Sequence, residues 1–209
     1  MQTFTPDTGQ EFNFFTEKIP SWQGWLASLV IDSSGNTAGN DGTSKTVGNQ
    51  TDLQLLIALR SRASLIVTTG KTARSEKYKA SRFAPIAFIT RDESSLATIP
   101  AIAKPGKFKN IFLSSSKPLK EAFKDFDSEI SNSRFNNVLF EGGLESLASL
   151  LQSSLPLTLV LSIANAPGFD VAHTVQLLNK ILPGWTNPHL IESFGVGPNL
   201  VAIWTKAAS

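Results

Sequence analysis

No cysteine occurs among the 209 residues, and histidine occurs only twice. The first absence excludes disulfides, thiolate metal sites and a cysteine nucleophile, and it suits a reducing compartment. His173 and His189 form no closely spaced histidine pair, so no metal site is expected, and His173 reads as an ordinary helix residue rather than a base. No segment approaches the roughly 20 apolar residues that a membrane-spanning helix needs. The opening residues carry Asp7, Glu11 and Glu17 without an apolar stretch, unlike a signal peptide. No block of like charge stands out and the formal net charge is +2, so composition indicates no nucleic-acid surface. The expectation is a soluble cytoplasmic protein that binds neither nucleic acid nor membrane.

Several familiar chemical motifs are also missing. Gly70-Lys71-Thr72 ends like a phosphate-loop NTPase motif, but Leu65 stands where the first glycine belongs. GVGPNL near the end lacks the third glycine of a dinucleotide fingerprint and falls between two strand-like runs. No G-x-S-x-G elbow exists, which removes a hydrolase triad of that type.

What is present is an alternation of buried strands and amphipathic helices. WLASLVI (25–31), SLIVTTG (64–70), PIAFIT (85–90), NIFLSS (110–115), VLF (138–140) and LTLVLSIANA (157–166) read as strands. TDLQLLIALRSR (51–62), KPLKEAFKDFDSEI (117–130), LESLASLLQ (144–152) and DVAHTVQLLNKIL (170–182) read as helices, and KTARSEKY as a short one. HLIESF and NLVAIWTK, joined by GVGP, read as a closing hairpin. Such a chain is α/β, with a mostly parallel central sheet, helices on both faces and a C-terminal antiparallel hairpin. One domain over 1–209 is expected, with 1–24 as an N-terminal arm. The long polar segment 32–50 exceeds the usual loop length, as functional loops often do.

The polar residues of interest fall at strand ends. Gly70, Lys71, Thr72 and Arg74 follow one strand, Thr90 and Arg91 another, and Glu141-Gly142-Gly143 a third. Ligands of open α/β sheets bind outside the carboxyl ends of the strands, and a Gly-Gly helix start can seat an anion on its backbone amides. Hydroxyls, a lysine and two arginines on that edge suit a ligand carrying several phosphates. Taken singly, each is equally an ordinary turn residue, and Gly142-Gly143 a plain strand-to-helix connection.

The segment from Asp32 to Tyr78, with VLFEGG far downstream, resembles the reductase domain of riboflavin biosynthesis. The matching positions are Gly35, Asp41-Gly42-Thr43-Ser44, Asp52, Leu59-Arg60, Ala63, Gly70, Thr72, Arg74, Glu76, Tyr78 and Glu141-Gly142-Gly143. The resemblance spans about Trp25 to Gln152. It implies a dihydrofolate-reductase-like three-layer fold, a homodimer, and NADPH-dependent reduction of a phosphorylated ribosylamino-pyrimidine. It further implies that Gly70, Lys71, Thr72, Arg74, Thr90 and Arg91 hold the adenosine-side phosphates. Gly142, Gly143 and Leu144 would take the pyrophosphate. Ser34, Ser44, Asp52 and Glu141 would face or support the substrate, and no side chain is assigned as catalytic.

Three departures accompany the likeness. Ser34 stands where the family has an aspartate, and Asp32 lies one two-residue strand step away, about 6.6 Å. Leu144 replaces a proline after Gly-Gly, and SSLPLTLVL lacks the family's acidic residues. Cofactor binding is therefore better preserved than substrate chemistry. The alternatives are a catalytically degenerate NADP(H)-binding relative, or a reductase of a different pterin-like or carbonyl substrate.

Overall fold

The structure is a computed structural model that describes residues 3–4, 10–185 and 188–206. Its first half runs β1 (Thr3–Phe4), α1 (Glu11–Lys18), β2 (Gly24–Ile31), α2 (Gln50–Arg62), β3 (Leu65–Thr69), α3 (Gly70–Ser75), β4 (Ile86–Ile89), α4 (Pro100–Ala103) and β5 (Ile111–Leu113). The second half runs α5 (Leu119–Asn132), β6 (Asn137–Phe140), α6 (Leu144–Gln152), β7 (Leu157–Ile163), α7 (Val171–Ile181), β8 (His189–Val196) and β9 (Asn199–Lys206). The strands form one sheet in the order β1-β8-β9-β7-β2-β6-β3-β4-β5. Only the β7–β9 and β8–β9 pairings are antiparallel, so β9 alone runs against the rest.

Strand alternation builds two cores. In β2, Trp25, Ala27, Leu29 and Ile31 point to one face and Leu26 to the other, and in β6 Val138 and Phe140 oppose Leu139. The first face packs on α5, α6 and α7 through Phe123, Leu147, Leu150 and Leu178. The second packs on α1 and α2 through Phe15, Leu55 and Leu59. Sheet-facing apolar residues on both sides thus give the expected three layers.

The expected N-terminal arm is partly folded into this body. Residues 1–2 and 5–9 of it lie outside the described residues, but α1 buries Phe15, and Ile19 and Trp22 follow it into the second core. Helix α2 begins one residue before the expected Thr51, because Asn49 caps it in a reciprocal box with Asp52. The closing hairpin is as read, with β9 lying between β7 and β8.

Candidate functional site

Because β2 to β7 run parallel, their carboxyl ends open on one side, and a cleft of about 1760 Å³ lies there. It is walled by the ends of β3, β4 and β6, by one face of α2 and by the loop after β2. Of the sequence-predicted residues, Ser44, Asp52, Glu141, Gly70, Lys71, Thr72, Arg74, Thr90, Arg91, Gly142, Gly143 and Leu144 all line it. Ser34 does not.

Ser34 is placed elsewhere by the turn that ends β2. The strand stops at Ile31, so Asp32 and Ser34 share no strand face, contrary to the reading from pleat alternation. Asp32 accepts hydrogen bonds from the Ser34 and Asn36 amides at 2.8 Å each and from the Asn36 side chain at 2.7 Å. Slight burial works against its charge, but the bonds from Asn36 and Ser34 outweigh it and hold the carboxyl below its ordinary value. The Ser34 carbonyl accepts from Lys180 Nζ on α7 at 2.8 Å. Neither residue brings a carboxylate to the cleft wall.

Two neighbouring strand-to-helix turns form the floor. Thr69 caps α3 by accepting from the Thr72 amide at 3.1 Å, and its hydroxyl bonds to that of Thr72 at 3.0 Å. Thr72 Oγ1 in turn accepts the Gly143 amide at 3.0 Å, tying the start of α3 to the start of α6. The amide expected to face an anion is therefore given to a hydroxyl here. The two glycines differ. A Cβ at Gly142 would lie 2.2 Å from Phe140 Cζ and 2.5 Å from Ser146 Oγ, whereas at Gly143 it would meet only Thr72 Oγ1, at 3.4 Å. Gly142 is required by packing, and Gly143 leaves space open beside the helix start. Gly70 is also a packing glycine, with a Cβ there 2.7 Å from Leu96.

The cations of this wall are loosely held. Lys71 pairs with Glu145 at 3.1 Å, both side chains at least 80% exposed, a contact worth about 1 kcal/mol or less. Arg74 reaches the carbonyl and hydroxyl of Ser95 at 3.3 and 3.2 Å. Arg91 is exposed, and the Thr90 hydroxyl donates to the Asp92 carbonyl at 2.8 Å.

Glu141 is held quite differently. Its carboxylate receives Arg60 Nε at 2.7 Å and Nη2 at 2.5 Å, and the Tyr78 hydroxyl at 2.6 Å. Its amide donates to the Val67 carbonyl and its carbonyl accepts from Thr68. With 5% side-chain exposure, this group anchors the turn, and both its oxygens are already bonded within the chain. Burial works against the Arg60 charge, but the attraction and hydrogen bonds of Glu141 override it and raise the pKa. Burial and then the Glu141 charge push Tyr78 well above its usual range.

Asp52 closes the far end. It accepts the Ser162 hydroxyl from β7 at 2.5 Å and the Asn49 amide at 2.9 Å. Asn49 is paired through its side chain with Asn199, at 2.7 and 3.1 Å. Desolvation raises the Asp52 pKa against these bonds, which favour the carboxylate. Ser44 is reached through Glu76, whose carboxylate accepts its amide at 2.6 Å and so ties the 32–49 loop to the end of α3.

Arg60, Glu76 and Tyr78 belong to the resemblance pattern but received no role from the sequence. Their spacing showed no mutual contact. Ser115, Ser116 and Lys117 also line the cleft; their place after β5 was the available signal, the same that marked Thr90 and Arg91. Ser162, inside an apolar strand, gave none. Among the described residues no acidic, histidine or cysteine cluster could hold a metal ion, and no helix is long and apolar enough to cross a membrane.

No protein-family model matches the sequence, and no curated protein matches it. The fold is similar to that of a pyrimidine reductase-like protein from Corynebacterium diphtheriae, with a TM-score of 0.62 and 18% identity over 93% of this chain and 97% of that one. It is similar also to RibD of Acinetobacter baumannii, at TM-score 0.61 and 14% identity, covering 87% of this chain and 58% of that one. Dihydrofolate reductase from Enterococcus faecalis, complexed with NADP(H), follows at TM-score 0.51 and 12% identity over 88% and 95%. At these identities the likeness is one of fold. The chain has the dihydrofolate-reductase-like fold, shared with a pyrimidine reductase-like protein and with a dihydrofolate reductase.

Proposed function

We propose that the chain is an NADPH-dependent reductase acting on a phosphorylated ribosylamino-pyrimidine, in the manner of 5-amino-6-(5-phosphoribosylamino)uracil reductases. One observation carries the reading: two adjacent strand-to-helix turns, joined by Thr72, meet on the carboxyl edge of the sheet around an open glycine, Gly143. Space beside α6, the dipole of that helix and cations outnumbering carboxylates along the wall fit a dinucleotide's phosphates. The bound cofactor would supply a hydride to an electrophilic carbon. Lys71, Arg74, Thr90 and Arg91 would hold its adenosine-side phosphates, while Gly143 and Leu144 border the diphosphate. Thr72 would exchange its bond to Gly143 for one to the ligand.

At the other end Asp52 and Ser44 would orient the substrate ring, and the 32–49 loop would exclude water. The raised pKa of Asp52 makes it a proton carrier more readily than an exposed aspartate. Glu141 would position the turn without touching the ligand. A homodimer and a cytoplasmic setting go with this reading.

A second reading, an NADP(H)-binding relative without turnover, is favoured by how the cleft carboxylates are used. Glu76, Glu141, Asp92, Glu145 and Asp52 each already have a partner within the chain. Titrating NADPH by nicotinamide fluorescence, then following its oxidation with the pyrimidine intermediate, separates the two. Binding with turnover supports the enzyme, binding without turnover the relative, and no binding overturns both.

A further inference from the structure

The sequence has no long run of like charge, yet the fold gathers one. The connection after α3 and the one after α4 lie together. The Ala101 amide donates to the Tyr78 carbonyl at 2.8 Å, and a Cβ at Gly106 would stand 2.8 Å from that of Ala80. Lys77, Lys79 and Arg82 come from the first connection, and Lys104, Lys107 and Lys109 from the second, all exposed. Residues 77–91 and 94–120 contain no carboxylate at all. None of the six takes part in an ion pair among the described residues. For a chain whose formal charge is only +2, this is a strong local concentration. It borders the cleft, since Lys77, Lys79 and Ala80 line the cleft and Gly106, between Lys104 and Lys107, packs on Ala80, whereas Lys109 lies farther off toward the amino ends of β4 and β5.

We propose that this cationic margin captures phosphate-bearing small anions and steers them into the cleft, raising the rate of association while leaving the rate of dissociation unchanged. The inference rests on the reading of the cleft as a site for NADPH and a phosphorylated substrate. Uncompensated charge beside a concave site focuses the field and raises the encounter rate of an oppositely charged ligand. The cations outside the cleft make no contact with a seated ligand, so they leave its dissociation alone. A single-stranded nucleic acid fits less well, because it needs free aromatic faces for stacking. Arg60 lies over the Tyr78 ring at 5.4 Å, Arg82 over Phe83 at 4.7 Å and Lys107 over Phe108 at 5.4 Å.

The test is stopped-flow binding of NADPH, read by quenching of tryptophan fluorescence, across a salt series. The unaltered chain is compared with K104E/K107E and with the milder K104A/K107A. We expect the reversal to slow association about tenfold at low salt and to leave dissociation within about twofold. The salt dependence of association should flatten, and the alanine variant should fall between. An unchanged association rate with NADPH still binding would overturn the inference and leave the reading of the cleft intact. So would a loss that appears in dissociation. Binding of a short single-stranded RNA that the reversal abolishes, with NADPH association unaltered, would reassign the surface. Failure of the unaltered chain to bind NADPH would remove the reading of the cleft, and this inference with it.

Discussion

The two ends of the cleft treat polar groups in opposite ways. Around Lys71, Arg74, Thr90 and Arg91 the side chains are exposed or half-buried, with weak partners, Glu145 and Asp92 being the opposite charges beside them. Around Asp52 and Glu141 each carboxylate oxygen is already bonded within the chain. The first end presents its chemistry to solvent, while the second spends most of its own on holding elements together. A residue type at a strand end is thus an incomplete guide to its use. The number of partners a side chain already has sets what it must give up to meet a ligand.

Four experiments would break or sharpen that contrast. Arg60→Ala leaves the Glu141 carboxylate buried without its cation, and should cost about 3 kcal/mol of stability in urea denaturation. A loss below about 1 kcal/mol would mean that Glu141 is as available as the exposed groups. The glycines should separate next. Gly142→Val drives a side chain into Phe140 and should cost up to about 3 kcal/mol of stability. Gly143→Val, at φ −69° with open space, should leave the fold nearly unchanged. It should instead weaken NADPH binding about tenfold, or about 1.4 kcal/mol, measured by fluorescence titration.

The third concerns pH. Asp52 has a folded pKa raised above its unfolded value, so its contribution to stability is fully present below the unfolded pKa and is lost as pH rises through the folded one. Compared with Asp52→Asn in urea melts at several pH values, the unaltered protein should gain relative stability as pH falls from above the folded pKa toward about 3.9. The opposite slope would place Asp52 with the solvated groups. The smallest effect is expected for Ser34→Asp, whose stability change should stay within about 0.5 kcal/mol. Its turnover of the pyrimidine should be unaltered, because Ser34 lies off the cleft beside Lys180. A large gain in turnover would bring that loop into the active site.

Much of the fold was legible because apolar runs and helical spacing follow from burial, and burial is local in sequence. VLF with LESLASLLQ fixed β6 and α6 almost to the residue. LTLVLSIANA was read three residues long, because Ala164 and Ala166 are buried in a turn rather than in the strand. The site divided along the same line. Gly70 to Arg74, Thr90, Arg91 and Glu141 to Leu144 were found at strand ends, where topology alone brings them together, whereas Ser34, Ser44 and Asp52 came from the resemblance. The Arg60–Glu141–Tyr78 lock was hidden, since its members are up to 81 positions apart and nothing local distinguishes a locked glutamate from a free one. Asp32 misled for a related reason: pleat alternation holds only while the strand lasts, and β2 ends one residue earlier.

The place of β9 bears on how the chain folds. Although it is the last strand in sequence, it fills the gap between β7 and β8 and pairs with both. Until residues 199–206 dock, β7 and β8 each keep an unpaired backbone edge that the finished sheet fills. That interval is when the molecule is most open to capture by a neighbour's strand, and the docking of β9 onto both partners brings it to an end.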